Sequence, residues 1–244
     1  MKQAIRQIMQ RYPDLARPIW RLLFPVIHRP ARFKGDEYID RKTAFDTIFR
    51  ENRWQSDESV SGTGSTLEAT SMLTQSLPSL LARYNAKVFL DAPCGDFNWM
   101  QHVNLSGIHY IGGDIVPELV DRLQQKYRTQ YRQFETLDFV DDPLPEADIW
   151  MCRHVLFHLS HEDIFKALSN FVDSSIGYIL IDNVDFITNH SDIRSGGFRL
   201  VNLRAAPFKL PKPLARIANS NPPNPPDYLN LWSREQVGEA LGLS

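Results

Sequence analysis

The stretch Lys87-Val88-Phe89-Leu90-Asp91-Ala92-Pro93-Cys94-Gly95-Asp96-Phe97-Asn98-Trp99-Met100 decides the fold. A short apolar run ends in an acid, then turns through Pro93 and Gly95. Twenty-three residues after Asp91, a second apolar run, Tyr110-Ile111-Gly112-Gly113-Asp114-Ile115, also carries an acid near its end. Two buried strands, each closed by a carboxylate at that spacing, mark the opening of a nucleotide-binding βαβ unit.

From residue 87 onward, apolar runs alternate with amphipathic stretches. Strands are predicted at 88–90, 110–111, 133–137, 149–152 and 178–181, with helices over 117–127 and 161–172 and a final strand at 228–232. That alternation predicts an α/β, Rossmann-like, doubly wound and mainly parallel seven-stranded sheet, preceded by an N-terminal helical arm. Upstream, a helix is expected from Ala44 to Arg50 and another from Leu67 to Leu81, separated by a polar loop over residues 52–66. The expected division is a basic arm over 1–43 and one α/β domain over 44–244, with a proline-rich cover at 196–227.

A chain of 244 residues, 43% hydrophobic and 23% charged, buries one substantial core. Its net charge of −2 hides an asymmetry, because residues 1–34 carry +7 and the remainder −9. The basic residues of the arm interleave with Ile5, Ile8, Leu15, Trp20 and Phe24. Such a pattern suits a helical arm folded over its own domain or across a dimer, and equally a contact with an anionic membrane surface. The acidic remainder argues against nucleic acid as substrate, since phosphate binding demands a basic track. Two cysteines without metal-type spacing point to a reducing cytoplasm, and the arginines of the first 21 residues break up any signal-peptide centre.

In an open α/β sheet the ligand sits beyond the carboxyl ends of the strands. Asp91, Gly95, Asp114, Asp138 and Cys152-Arg153 all fall at predicted carboxyl ends, although an acid there also serves as an ordinary helix N-cap. A dinucleotide site needs the glycine fingerprint that brings a helix N-terminus against pyrophosphate. Pro93 and Phe97 stand where small residues are required, and Asp91 and Asp96 are poor neighbours for a phosphate. A ligand with positive charge and no phosphate suits the turn better.

The motifs Asp91-Ala92-Pro93-Cys94-Gly95-Asp96-Phe97-Asn98-Trp99, Tyr110-Ile111-Gly112-Gly113-Asp114-Ile115-Val116 and Asp148-Ile149-Trp150-Met151-Cys152-Arg153 resemble those of class I S-adenosylmethionine-dependent methyltransferases. The similarity extends to a bacterial group with largely unassigned acceptors through Ser59-Val60-Ser61-Gly62-Thr63-Gly64-Ser65, His158-Leu159-Ser160 and Pro207-Phe208. It spans roughly residues 45–232 and leaves out the arm.

The resemblance implies S-adenosylmethionine as cofactor. Asp91, Ala92, Pro93, Gly95 and Trp99 would line its amino-acid half. Asp114 would take the ribose hydroxyls, Ile115 would pack on adenine, and Asp138 beside Phe139 would accept from the adenine amino group. Cys152 and Arg153 would close the floor, while Trp54, Ser61 and Gly62 would belong to a lid. His154 is the first choice of general base, with His158 as a second histidine that equally suits a loop brace. Asp182 is the third catalytic candidate; Asp182-Asn183 resembles part of a magnesium site, but Cys152-Arg153 replaces the carboxylate such a site needs, so no metal is expected and acceptor contacts or loop capping is the expected role. Asp192, Arg194, Arg199 and Asn202 either line an acceptor pocket or tie down the cover. The expected activity is methyl transfer to a hydroxyl of a polar small molecule or glycan. The rivals are a non-catalytic cofactor-binding partner and an NAD-dependent oxidoreductase.

Overall fold

The computed structural model describes residues 39–185, 188–189, 192–219 and 228–243, so the basic arm lies outside the described residues except for its last five, 39–43. The first helix, α1 (Arg41–Arg50), begins three residues before the expected Ala44, because the Asp40 side chain accepts from Thr43 N at 2.7 Å and caps it. Helix α2 (Leu67–Arg83) is capped by Thr66, whose hydroxyl accepts from Ala69 N, and buries Leu73, Leu77, Leu80 and Leu81 along one face.

Then comes the alternation: β1 (Val88–Asp91), β2 (His109–Asp114), α3 (Pro117–Tyr127), β3 (Arg132–Thr136), β4 (Ile149–Cys152), α4 (His161–Asp173) and β5 (Tyr178–Asn183). The chain closes with β6 (Ala215–Ala218), β7 (Tyr228–Ser233) and α5 (Arg234–Leu241). The sheet order is β3-β2-β1-β4-β5-β7-β6. The first five strands pair in parallel, and β7 runs antiparallel to both β5 and β6. From β1 the chain winds outward through β2 and β3, then returns to lay β4 on the other side of β1. The order therefore reverses between β1 and β4, and the crevice opens at their carboxyl ends.

Packing follows from the strand sequences. Phe89, Leu90, Trp150, Met151, Leu180 and Ile181 are fully or almost fully buried, as central parallel strands covered on both faces require. Gly112 and Gly113 let β2 accept bulky neighbours. A Cβ on Gly112 would stand 2.6 Å from the Phe134 ring, and one on Gly113 2.8 Å from Leu137. Phe97, Tyr110 and Phe134 fill the resulting space with edge-to-face ring contacts.

Two elements depart from expectation. Strand β6 lies inside the segment read as a proline-rich cover; Ala-Arg-Ile-Ala is short, half-buried and at the sheet edge, so it carries little hydrophobic pattern. Helix α5 lies beyond the elements expected from the sequence, and a Ser233–Gln236 capping box starts it. Among the described residues, no helix is long and apolar enough to cross a membrane.

Replacing Gly112 with Ala should lower stability by about 1–3 kcal/mol, the usual cost of overpacking a core. A urea denaturation midpoint measured beside wild type checks this, with an unchanged slope expected.

Candidate cofactor cleft

The cleft opens where the topology places it. After β1 the backbone turns through Gly95, at φ +56°, and Phe97, at φ +60°. Asp91, at the strand end, is 2% exposed and accepts from the Tyr110 hydroxyl at 2.8 Å. Asp114, at the end of β2, is 6% exposed. Its two oxygens accept from Gly95 N and Val116 N, both at 3.1 Å, so one carboxylate joins the β1 turn to the start of α3.

Both acids are held out of water. Burial pushes Asp91 up from 3.8 to about 7, against the Tyr110 hydroxyl and the Arg153 cation, which favour the anion. Burial likewise raises Asp114 to about 6, opposed by the Val116 and Gly95 N–H groups.

The 52–66 loop is fastened to the same turn. The Asp96 carboxylate accepts from Ser59 Oγ, Val60 N and Ser61 Oγ at 2.9–3.2 Å, and Asp96 N donates back to Ser61 Oγ at 2.9 Å. A Cβ on Gly95 would lie 2.2 Å from Ser61 Oγ, so glycine is demanded there by contact as well as by φ. Glu58 strengthens the latch by accepting from Leu67 N and from Asn98 Nδ2 at 2.6 and 2.8 Å.

The opposite wall comes from α1 and the β3–β4 connection. Arg41 donates to both oxygens of Asp138, at 3.1 and 2.6 Å, and also pairs with Asp141 and Asp163. The cleft is open at its mouth and is walled by residues of α1, the 52–66 loop and the ends of β1, β2 and β4.

Of the residues expected at the site, the cleft wall includes Trp54, Ser61, Asp91, Pro93, Gly95, Trp99, Asp114, Ile115, Asp138, Phe139, Arg153 and His154. Five others lie behind it. Cys152 has no exposed surface; Met151 and Arg153 line the wall while the strand's alternation turns Cys152 away, so it closes no floor. Ala92 is fully buried and accepts from Trp150 Nε1 at 2.8 Å, which makes it part of the core. Gly62 backs onto Trp54. Asp182 is buried and holds the backbone of His154, accepting from its N at 2.6 Å.

His158, the fifth, lies behind the wall in the arrangement of a loop brace. Its Nδ1 lies 2.7 Å from Gly197 O, and its ring packs among Trp54, Phe157 and Phe198. Burial lowers its pKa to about 4, so the ring stays neutral in neutral solution. Asn202 and Arg199 tie down the cover: Asn202 exchanges hydrogen bonds with Asn189, and Arg199 N donates to Phe157 O.

Sequence reasoning missed Arg41, Phe45 and Phe49 in the wall, Asp96 as the latch and Asn219 beyond β6. Only the Asp40 cap hinted that Arg41 belonged to a folded helix, and the latch joins residues 35 to 37 positions apart. Among the described residues, no group of three His, Cys, Asp or Glu side chains converges to hold a metal ion.

No protein-family model and no curated protein matches the sequence. Solved structures do match. Magnesium protoporphyrin IX methyltransferase from Synechocystis PCC 6803, solved with S-adenosylmethionine, superposes at a TM-score of 0.54 and 15% identity, over 82% of this chain and 99% of that one. The PH0226 protein of Pyrococcus horikoshii OT3 gives 0.50 and 14%, over 70% and 93%. Human N-acetylserotonin methyltransferase gives 0.47 and 20%, over 67% of this chain and 48% of that one, so the match spans about half of the human protein. This chain therefore has the Rossmann-like fold that the Synechocystis methyltransferase also has.

The raised acids carry a pH signature. A carboxyl whose folded pKa stands above its unfolded value keeps its proton longer in the folded state, so its contribution to stability falls as pH rises between the two values. Asp91→Asn should therefore gain stability relative to wild type as pH climbs from about 4 to about 7, the window set by Asp91. Thermal midpoints of both proteins across that range test it; a constant difference contradicts the buried-acid assignment.

Proposed function

We propose that this chain transfers a methyl group from S-adenosylmethionine to an oxygen of a polar small molecule or glycan. The observation that carries the reading is the pair of buried carboxylates, Asp91 and Asp114, flanking the Gly95 turn. A phosphate placed there would meet two buried carboxyl groups whose ionisation it would oppose further. A ligand bearing an ammonium, a sulfonium and a ribose diol supplies positive charge to Asp91 and hydroxyl donors to Asp114. Asp114 has the capacity: each oxygen takes one backbone N–H and retains a further lone pair.

The other residues fit the remaining parts of that cofactor. Ile115, Leu119, Phe45 and Phe49 offer an apolar slot for adenine beside Asp138. Because Arg41 already holds both oxygens of Asp138, the adenine amino group would share that carboxylate with the guanidinium. Arg153, stacked over Trp99 at 5.3 Å, presents the cation suited to a carboxylate.

When bound, the cofactor supplies an electrophilic methyl on a leaving group that needs no proton. The protein's task is then alignment and exclusion of water, which the latched loop, Trp54 and α1 provide. A hydroxyl acceptor must also lose a proton, and His154 is the histidine in the cleft wall. The similarity of fold to the Synechocystis enzyme supports methyl transfer and leaves the acceptor to the chemistry of this chain. For the basic arm we keep a peripheral membrane contact or a dimer contact as the proposed role.

Calorimetric titration should give binding of S-adenosylhomocysteine and none of NAD. Asp114→Ala should weaken that binding about tenfold or more, as loss of ligand hydrogen bonds commonly does. Binding of NAD instead overturns the reading in favour of an oxidoreductase. Labelled methyl transfer into fractionated extracts then identifies the acceptor, and cofactor binding without any transfer indicates a binding module.

A further inference from the structure

Arg153, His154, Gly64 and Asn219 close a ring of contacts just beyond the carboxyl end of β4. Arg153 Nε donates to Asn219 Oδ1 at 2.6 Å, and Arg153 Nη2 donates to Gly64 O at 2.8 Å. Asn219 Nδ2 lies 2.9 Å from His154 Nε2. Gly64 backs onto the imidazole so closely that a Cβ there would stand 2.7 Å from Nδ1. Asn219 is 1% exposed, so its amide must be satisfied within the protein.

The chemistry of the three side chains fixes the direction of each bond. A guanidinium donates and never accepts, so the amide oxygen must face Arg153. The amide nitrogen then faces His154 and, having two N–H bonds and no lone pair to offer, must donate. His154 Nε2 is therefore the acceptor, and the ring proton sits on Nδ1.

We propose that Asn219 is a positioning residue, set by Arg153, that holds His154 as the neutral Nδ1–H tautomer with its Nε2 lone pair pinned. The proposal deepens the methyltransferase reading, on which its link to turnover rests. It also changes what is asked of His154. The lone pair a base would use is the one Asn219 occupies, so acceptance of a proton at Nε2 requires the Asn219 contact to open. Asn219 lies just beyond β6 and the two other side chains just beyond β4, so the final hairpin of the sheet sets the protonation of a cleft residue.

Asn219→Asp tests this with little change of shape. Its carboxylate still accepts from Arg153 but has no hydrogen to give, so Nε2 must carry the proton itself. Nitrogen-15 NMR of histidine-labelled full-length protein, without ligand and with His154→Gln for assignment, should show an unprotonated Nε2 in wild type and a protonated Nε2 in the variant. Wild type with its proton on Nε2, or a variant ring unchanged from wild type, overturns the proposal. Asn219→Leu, which offers neither donor nor acceptor, is the second variant should Asn219→Asp fail to fold; an unchanged His154 signal there also overturns it. In turnover, Asn219→Asp should lower kcat about tenfold or more while S-adenosylhomocysteine affinity stays within about twofold, the pattern of an interaction needed in the transition state. A flipped tautomer with kcat unchanged removes Asn219 from the reaction. Failure of wild type to bind S-adenosylhomocysteine refutes the methyltransferase reading instead, and the ligand-free spectra still decide the tautomer.

Discussion

The arrangement of the cleft depends on one carboxylate, that of Asp114. A carboxylate taken out of water is costly unless donors replace its hydration, and here backbone N–H groups do so from two different connections. By accepting from Gly95 and Val116 together, Asp114 fixes the turn after β1 relative to the first residues of α3. The loop above then inherits that geometry: Asp96 follows Gly95 in the same turn, and three donors of residues 59–61 converge on its carboxylate. Gly95 lets this happen, since its φ and the close approach of Ser61 both exclude a side chain.

The three strand-end acids consequently differ in what they offer a ligand. Asp138 is compensated within the protein, because Arg41 forks onto it and reaches Asp141 and Asp163 as well. Asp91 and Asp114 have mainly neutral donors, and their raised pKa values express the remaining cost of burial. In the proposed function, a cationic ligand gains most at these two positions, where the protein alone leaves negative charge poorly solvated. Asp138 contributes differently: in that proposed function it would tie adenine recognition to α1 through Arg41.

The sheet was legible in the sequence because its central strands are buried on both faces and their apolar runs are bounded by turn residues. Strand β4 begins and ends at the expected residues for that reason, and helix α3 begins where expected because Pro117 stands in its first turn. Strand β6 was not, since a four-residue edge strand, Ala-Arg-Ile-Ala, carries no such run. The site was legible where it is built from strand ends, whose positions follow from topology. It was illegible where function is shared across long separations. Nothing in the spacing of Arg41 and Asp138, 97 residues apart, or of His154 and Asn219, 65 apart, marks them as partners. Strand ends also overstate the site, because alternation sends every second residue away from the cleft, as with Cys152.

The histidines show why residue type alone does not assign a role. His154 and His158 stand four positions apart beside the same strand, and residue type nominates either as a base. His158 is surrounded by rings and tied to Gly197 O, so burial leaves it a neutral brace. His154 faces the cleft, but its chemistry is delegated to Asn219, and that of Asn219 to Arg153, the one member of the chain whose hydrogen-bonding sense cannot change. An arginine at the end of β4 thus acts at a distance of two hydrogen bonds. It determines which nitrogen of a neighbouring histidine carries a proton, and with it whether that histidine can receive another.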